Sequence, residues 1–182
     1  MSFLGVDQSL NATGICVLDE DGGIRSLLTV KHKVGGASDV KLVRIRKAVL
    51  SATSGAVFGA LEGYSYDSIH RAFDLGEVAG TVKTVLCEHA IPYLVVPPVI
   101  LKMFATGSTR AEKLDMVTAA KAKGALVLDD DQADAFFLAH VARAFVRGAA
   151  HKRCEMEAIH WLKHPTTKKT AKRPRQLVKH AI

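Results

Sequence analysis

The chain of 182 residues carries 25 Lys and Arg against 18 Asp and Glu, and is 48% hydrophobic but only 6% aromatic. That composition excludes a disordered or fibrous chain and suits one domain with a core of Ala, Val, Leu and Ile. Three distant cysteines with no Cys-x-x-Cys pair point to neither a disulfide framework nor a zinc site. No apolar run approaches the roughly 20 residues that span a bilayer. The start of the sequence shows no basic stretch followed by a long apolar one, so a cytoplasmic setting is expected, away from membranes.

Residues 2–7 read as a strand, 13–20 as a second and 24–33 as a third. Asp19-Glu20-Asp21-Gly22-Gly23 supplies the hairpin turn between the last two. From Val40, apolar Val40, Val43 and Ala48 are interleaved with Lys and Arg, which predicts a helix with a basic outer face. The segment AVFGALEGY, from Ala56, reads as a short buried strand. Residues 68–89 carry Ile69, Phe73, Leu75, Val78, Ala79, Val82 and Val85 at helical spacing. PYLVV, from Pro92, reads as a further buried strand that Pro97-Pro98 ends.

Thr109-Arg110-Ala111-Glu112 has the form of a capping box, predicting a helix to about Lys123. A last long helix begins at DDDQAD, with Asp129 or Asp130 as its N-cap. Residues 1–150 balance 16 basic against 16 acidic residues, whereas 151–182 hold 9 against 2. The expected division is therefore a folded domain over 1–150 and a basic C-terminal tail over 151–182. Such a tail attracts polyanions, although a solubility or address segment has the same composition. Three strands followed by alternating helices and strands predict an α/β fold, a mixed five-stranded sheet flanked by helices.

Four carboxylates stand out on this framework. Asp7 ends the first strand and Glu62 ends the fourth. If those strands are neighbours, both acids emerge at one edge of the sheet. Asp131 and Asp134 lie three apart on the last helix and so share a face. The stripe Phe137, Leu138, Val141 and Phe145 would press that helix onto the sheet and carry both aspartates towards Asp7 and Glu62. Four such groups cannot all stay ionised in a small space without cations. Hard oxygen donors without His or Cys favour Mg²⁺, with Mn²⁺ as a substitute. Two such ions about 4 Å apart hydrolyse phosphodiesters. Taken alone, DDDQAD is equally a charged helix start favoured by the macrodipole.

These segments, in their order, resemble the RuvC-type Holliday junction resolvases, in particular those of bacteriophages. FLGVDQSLNATG resembles the first acidic strand, with Gln8 where the family usually has proline. LEGY, DLGEVAGTV, GSTRAEK and DQADAFFLA resemble the family's later motifs, together covering roughly residues 2–147. The resemblance implies an RNase H-like nuclease domain, Mg²⁺-dependent cleavage of four-way DNA junctions by paired nicks, and a homodimer built around residues 68–89. It implies catalytic and metal-binding roles for Asp7, Glu62, Asp131 and Asp134, a phosphate-neutralising Lys113, and a second DNA-binding lysine at Lys102. Tyr64 and Tyr66 flank the position where the family stacks an aromatic on junction bases, and the choice between them stays open. Packing over the sheet edge is the other reading of both tyrosines.

Two other readings fit parts of the sequence. A broader debranching nuclease acting on flaps, forks and packaging intermediates needs the same site. GVDQSLNATG also resembles the first phosphate loop of actin-like ATPases and sugar kinases, but the second such loop is not found in the sequence.

Overall fold

The computed structural model describes residues 1–8, 11–31, 38–63 and 72–165. Five strands, β1 (Ser2–Gln8), β2 (Ala12–Asp19), β3 (Ile24–Lys31), β4 (Ala56–Glu62) and β5 (Tyr93–Val96), form one sheet in the order β3-β2-β1-β4-β5. The β1–β2 and β2–β3 pairs are antiparallel, while β1–β4 and β4–β5 are parallel. The predicted mixed sheet is therefore present, and β1 and β4 are neighbours. The helices are α1 (Ser38–Ala52), α2 (Ala72–Glu88), α3 (Pro98–Thr106), α4 (Lys113–Ala122), α5 (Asp130–Arg147) and α6 (Arg153–Lys163). Among the described residues no helix is long and apolar enough to cross a membrane.

Strand alternation divides the core into two layers. Leu4, Val6, Ile15, Val17 and Leu61 meet Ile45 and Val49 of α1 and Val78, Val82, Val85 and Leu86 of α2. Phe3, Cys16, Leu18, Phe58, Ala60 and Leu94 face the other way, onto α5 with α3, α4 and α6 behind it. Asp7 and Glu62 continue the alternation of Phe3 and Phe58 and so belong to the α5 side.

One local expectation is extended and two are corrected. Pro97-Pro98 does end β5, but Pro98 also opens α3 as a first-turn proline, where its missing N–H is no loss. The capping box of α4 is Glu112 with Asp115, three residues after the expected one. Ser108 Oγ accepts from the Arg110 N–H at 3.2 Å, which holds Thr109 and Arg110 in a turn before the helix starts. Residues 153–163, inside the stretch expected to be a basic tail, form α6. Glu155, only 3% exposed, accepts from Lys123 Nζ at 2.8 Å and from the His151 and Lys152 N–H groups. Burial alone would raise its pKa, but these donors outweigh it and hold the carboxyl below its ordinary value.

Candidate active site

The site begins with glycine. Gly14 is the register partner of Asp7 across the β1–β2 pair. A Cβ there would stand 2.0 Å from the Asp131 carbonyl oxygen. At Gly5, a Cβ would stand 2.1 Å from the Ala135 oxygen and 2.3 Å from the Ala139 nitrogen. The first turns of α5 thus lie directly on the backbones of β1 and β2, an approach that only a missing side chain permits. This contact delivers Asp131 and Asp134 to the strand ends.

The start of α5 is fixed as well. Asp129 is its N-cap and accepts from the Gln132 N–H at 2.9 Å, while Gln132 Oε1 accepts from the Leu128 N–H at 3.0 Å. Thr29 Oγ1, on β3, donates to the Asp129 carboxylate, 3.0 and 2.9 Å from its two oxygens. Asp130 pairs with Lys113 of α4. The three consecutive aspartates therefore differ in their contacts: one caps the helix, one binds a lysine, and Asp131 turns to the site.

On the sheet, the last β1–β4 pair is Val6 with Leu61, so Asp7 and Glu62 come next on adjacent strands. Asp7 is 4% exposed. Burial first, then Glu62, Asp134 and Asp131, raise it well above the ordinary aspartate range, and it is hydrogen-bonded to Glu62. Glu62 is raised by burial and by Asp131, against the opposing pull of Asp7's hydrogen bond, Lys102 and Lys113. Burial, then Asp130 and Asp129, raise Asp131, which is also hydrogen-bonded to Asp7. Asp134 is pushed up to about 8 by burial, then by Glu62, Asp130 and Asp131. Each of the four acids senses others of the set, which shows that they converge. Lys102 and Lys113 both act on Glu62 and Asp134, so both belong to the rim. Lys113 is 84% exposed and is raised by its Asp130 hydrogen bond. Tyr64 and Tyr66 lie outside the described residues.

Among the described residues, no three His, Cys, Asp or Glu side chains stand ready to enclose a cation. Asp7 is hydrogen-bonded to both Glu62 and Asp131. The donor chemistry, carboxylate oxygen throughout, fits a hard divalent ion.

Gln8, Asp130 and Thr29 also contribute to this arrangement, in roles the sequence does not assign them. Asp130 carries a signal, as part of an acidic run facing a Lys-bearing segment. Gln8 and Thr29 become visible only through partners 54 and 100 residues away.

Comparison with solved structures finds Thermus thermophilus RuvC at 20% identity and a TM-score of 0.70, covering 84% of this chain and 99% of that one. T. thermophilus RuvC in complex with Holliday junction substrate matches at 18% identity and a TM-score of 0.67, covering 84% and 98%. No protein-family model and no curated protein sequence matches the chain. At these identities the likeness establishes the fold: an RNase H-like mixed sheet flanked by helices.

Proposed function

We propose that this protein is a metal-dependent endonuclease of branched DNA, with the four-way junction as its principal substrate. The observation that carries the reading is the convergence of Asp7, Glu62, Asp131 and Asp134 at one end of the sheet, with two lysines beside them. The fold adds support, since one protein sharing it is described with a Holliday junction substrate.

Asp7, Glu62, Asp131 and Asp134 would hold Mg²⁺, or Mn²⁺ in its place. When bound, such ions supply an activated water and stabilise the leaving oxygen of the phosphodiester. The chain's own residues do the rest. The sheet and α5 fix the main chain that carries the acids before substrate arrives, so any rearrangement at the reacting phosphate is confined to side chains. Lys113 exchanges Asp130 for a phosphate oxygen, an exchange that costs little because an exposed ion pair is worth about 0–1 kcal/mol. Lys102 neutralises charge on the same strand from α3.

Paired nicks need two sites related by two-fold symmetry, which a homodimer supplies. The outer face of α2 suits that role. Phe73 is 89% exposed. Gly76 and Gly80 follow it at helical spacing, and a Cβ at either would meet nothing within 4 Å. A partner helix can approach closely there.

The test is a nicking assay with Mg²⁺ on a four-way junction, a three-way junction, a flap and a linear duplex. Symmetric paired nicks concentrated in the four-way junction support resolution. Comparable cutting of every branched form supports the broader debranching reading, which the basic tail favours through added non-specific affinity. No cutting of any substrate overturns both.

A further inference from the structure

Leu4, Val6 and Gln8 alternate onto the sheet face covered by α1 and α2. Leu4 and Val6 are fully buried in its apolar cluster, and Gln8 is only 7% exposed. A polar amide thus sits where β1 otherwise places hydrocarbon. Its Nε2 donates to the Glu62 carbonyl oxygen at 3.1 Å. A carbonyl oxygen only accepts, so the donor end of the amide must face it. Among the described residues, Gln8 Oε1 is buried without a donor. The donor end of the amide is the one that grips Glu62.

The position of that grip is informative. Backbone pairing between β1 and β4 stops at Val6 and Leu61. The Gln8 side chain supplies a further link between the strands just past that point. On the other side of β4, the Gly63 N–H donates to the Val96 oxygen at 2.8 Å. The main chain around Glu62 is clamped from both flanks.

We propose that Gln8 is a positioning residue that fixes the main chain at Glu62, setting where the Glu62 carboxylate stands beside Asp7 before cation or DNA binds. This rests on the nuclease reading above. Gln8 lies on the opposite sheet face from the four carboxylates, so it acts through the Glu62 backbone and touches no reacting atom. Its loss weakens metal binding and leaves DNA binding alone. Groups that orient metal ligands change metal affinity or activity by about 10- to 100-fold when removed.

The experiment uses the full chain with Gln8→Met and Gln8→Leu, which keep similar volume and cannot donate to Glu62. Three quantities are read: Mn²⁺ affinity of the DNA-free protein by calorimetry, junction affinity in Ca²⁺, and cleavage rate across a Mg²⁺ titration. Both variants are expected to weaken Mn²⁺ binding and raise the Mg²⁺ midpoint by at least about tenfold, with junction affinity within about twofold and cleavage largely recovered at high Mg²⁺. A lowered melting temperature with an unmoved Mg²⁺ midpoint indicates a merely structural role and overturns the proposal. Wild-type Mn²⁺ affinity in both variants overturns it as well. If the wild type binds Mn²⁺ but cleaves nothing, the nuclease reading fails while the calorimetry still decides the role of Gln8. If the wild type does not bind Mn²⁺, both fail.

Discussion

Replacing Gly14 by alanine tests whether close seating of α5 builds the site. The added Cβ would stand 2.0 Å from the Asp131 oxygen and 2.6 Å from its carbonyl carbon, whereas real Cβ atoms keep at least 3.0 Å. The first turn of α5 must therefore move away by about 1 Å or more. The atom that collides belongs to Asp131 itself, so the displaced turn is the one carrying a site carboxylate. Asp7 and Glu62, on the sheet, stay behind. A misplacement of about 1 Å can cost a reaction on the order of 100-fold. Overpacking of this kind destabilises by about 1–3 kcal/mol, which a domain of ordinary stability survives.

The assay is single-turnover cleavage of a four-way junction with enzyme in excess, with binding measured separately in Ca²⁺. Gly14→Ala should cleave about 100-fold more slowly while binding the junction nearly as well. Gly59→Ala is the control, because a Cβ there meets its nearest atoms at 3.5–3.8 Å, which is ordinary contact. It should cleave at close to the wild-type rate. Wild-type cleavage by folded Gly14→Ala would refute the reasoning, since the sheet-to-helix distance would then not set the site.

Asp134 links the site to stability. Its folded-state pKa of about 8 lies above that of an unfolded aspartate. Between the two values the native state holds the extra proton, so stability is full at low pH and falls as pH rises towards about 8. In metal-free buffer, urea unfolding should show the wild type losing stability from about pH 5 to about pH 8, and Asp134→Asn losing less. Equal slopes would contradict the burial argument. Lys113→Met should slow cleavage by about 100-fold with a smaller effect on junction binding. A wild-type rate would leave Lys113 as a surface partner of Asp130 and no more. Deleting residues 166–182, which carry six Lys and Arg and no acid, should weaken DNA binding and flatten its salt dependence. The salt slope should fall by about 0.9 for each duplex phosphate that the shortened chain no longer neutralises, and an unchanged slope would remove the tail from the DNA interface.

The sheet is legible in the sequence because its signals are local and agree with one another. Apolar strands, an Asp-Gly-Gly hairpin and intervening helical periodicity leave few arrangements. That Asp7 and Glu62 stand on neighbouring strands is only a condition in the sequence, which the β1–β4 pairing meets. α3 is hidden because a double proline signals the end of a strand as strongly as Pro98 signals the start of a helix. α6 is hidden because the summed charge of residues 151–182 masks the buried Glu155, Ala158 and Ile159 among the lysines. The choice between Asp129 and Asp130 as N-cap needs Thr29 and Lys113, both distant in sequence. The role of Gly14 is likewise invisible without its tertiary neighbour, since a glycine in a strand equally marks a bulge or a tight bend.

The most direct test of the central claim is Mg²⁺-dependent cleavage by Asp7→Asn, alongside a Ca²⁺ binding measurement on the same four-way junction. The buried Asp7 carboxyl sits among Glu62, Asp131 and Asp134, and the amide keeps its shape while losing its charge. Cleavage is expected to be abolished and junction affinity retained. Cleavage by Asp7→Asn at the wild-type rate would contradict the claim, because the four converging carboxylates would then not be the reacting centre.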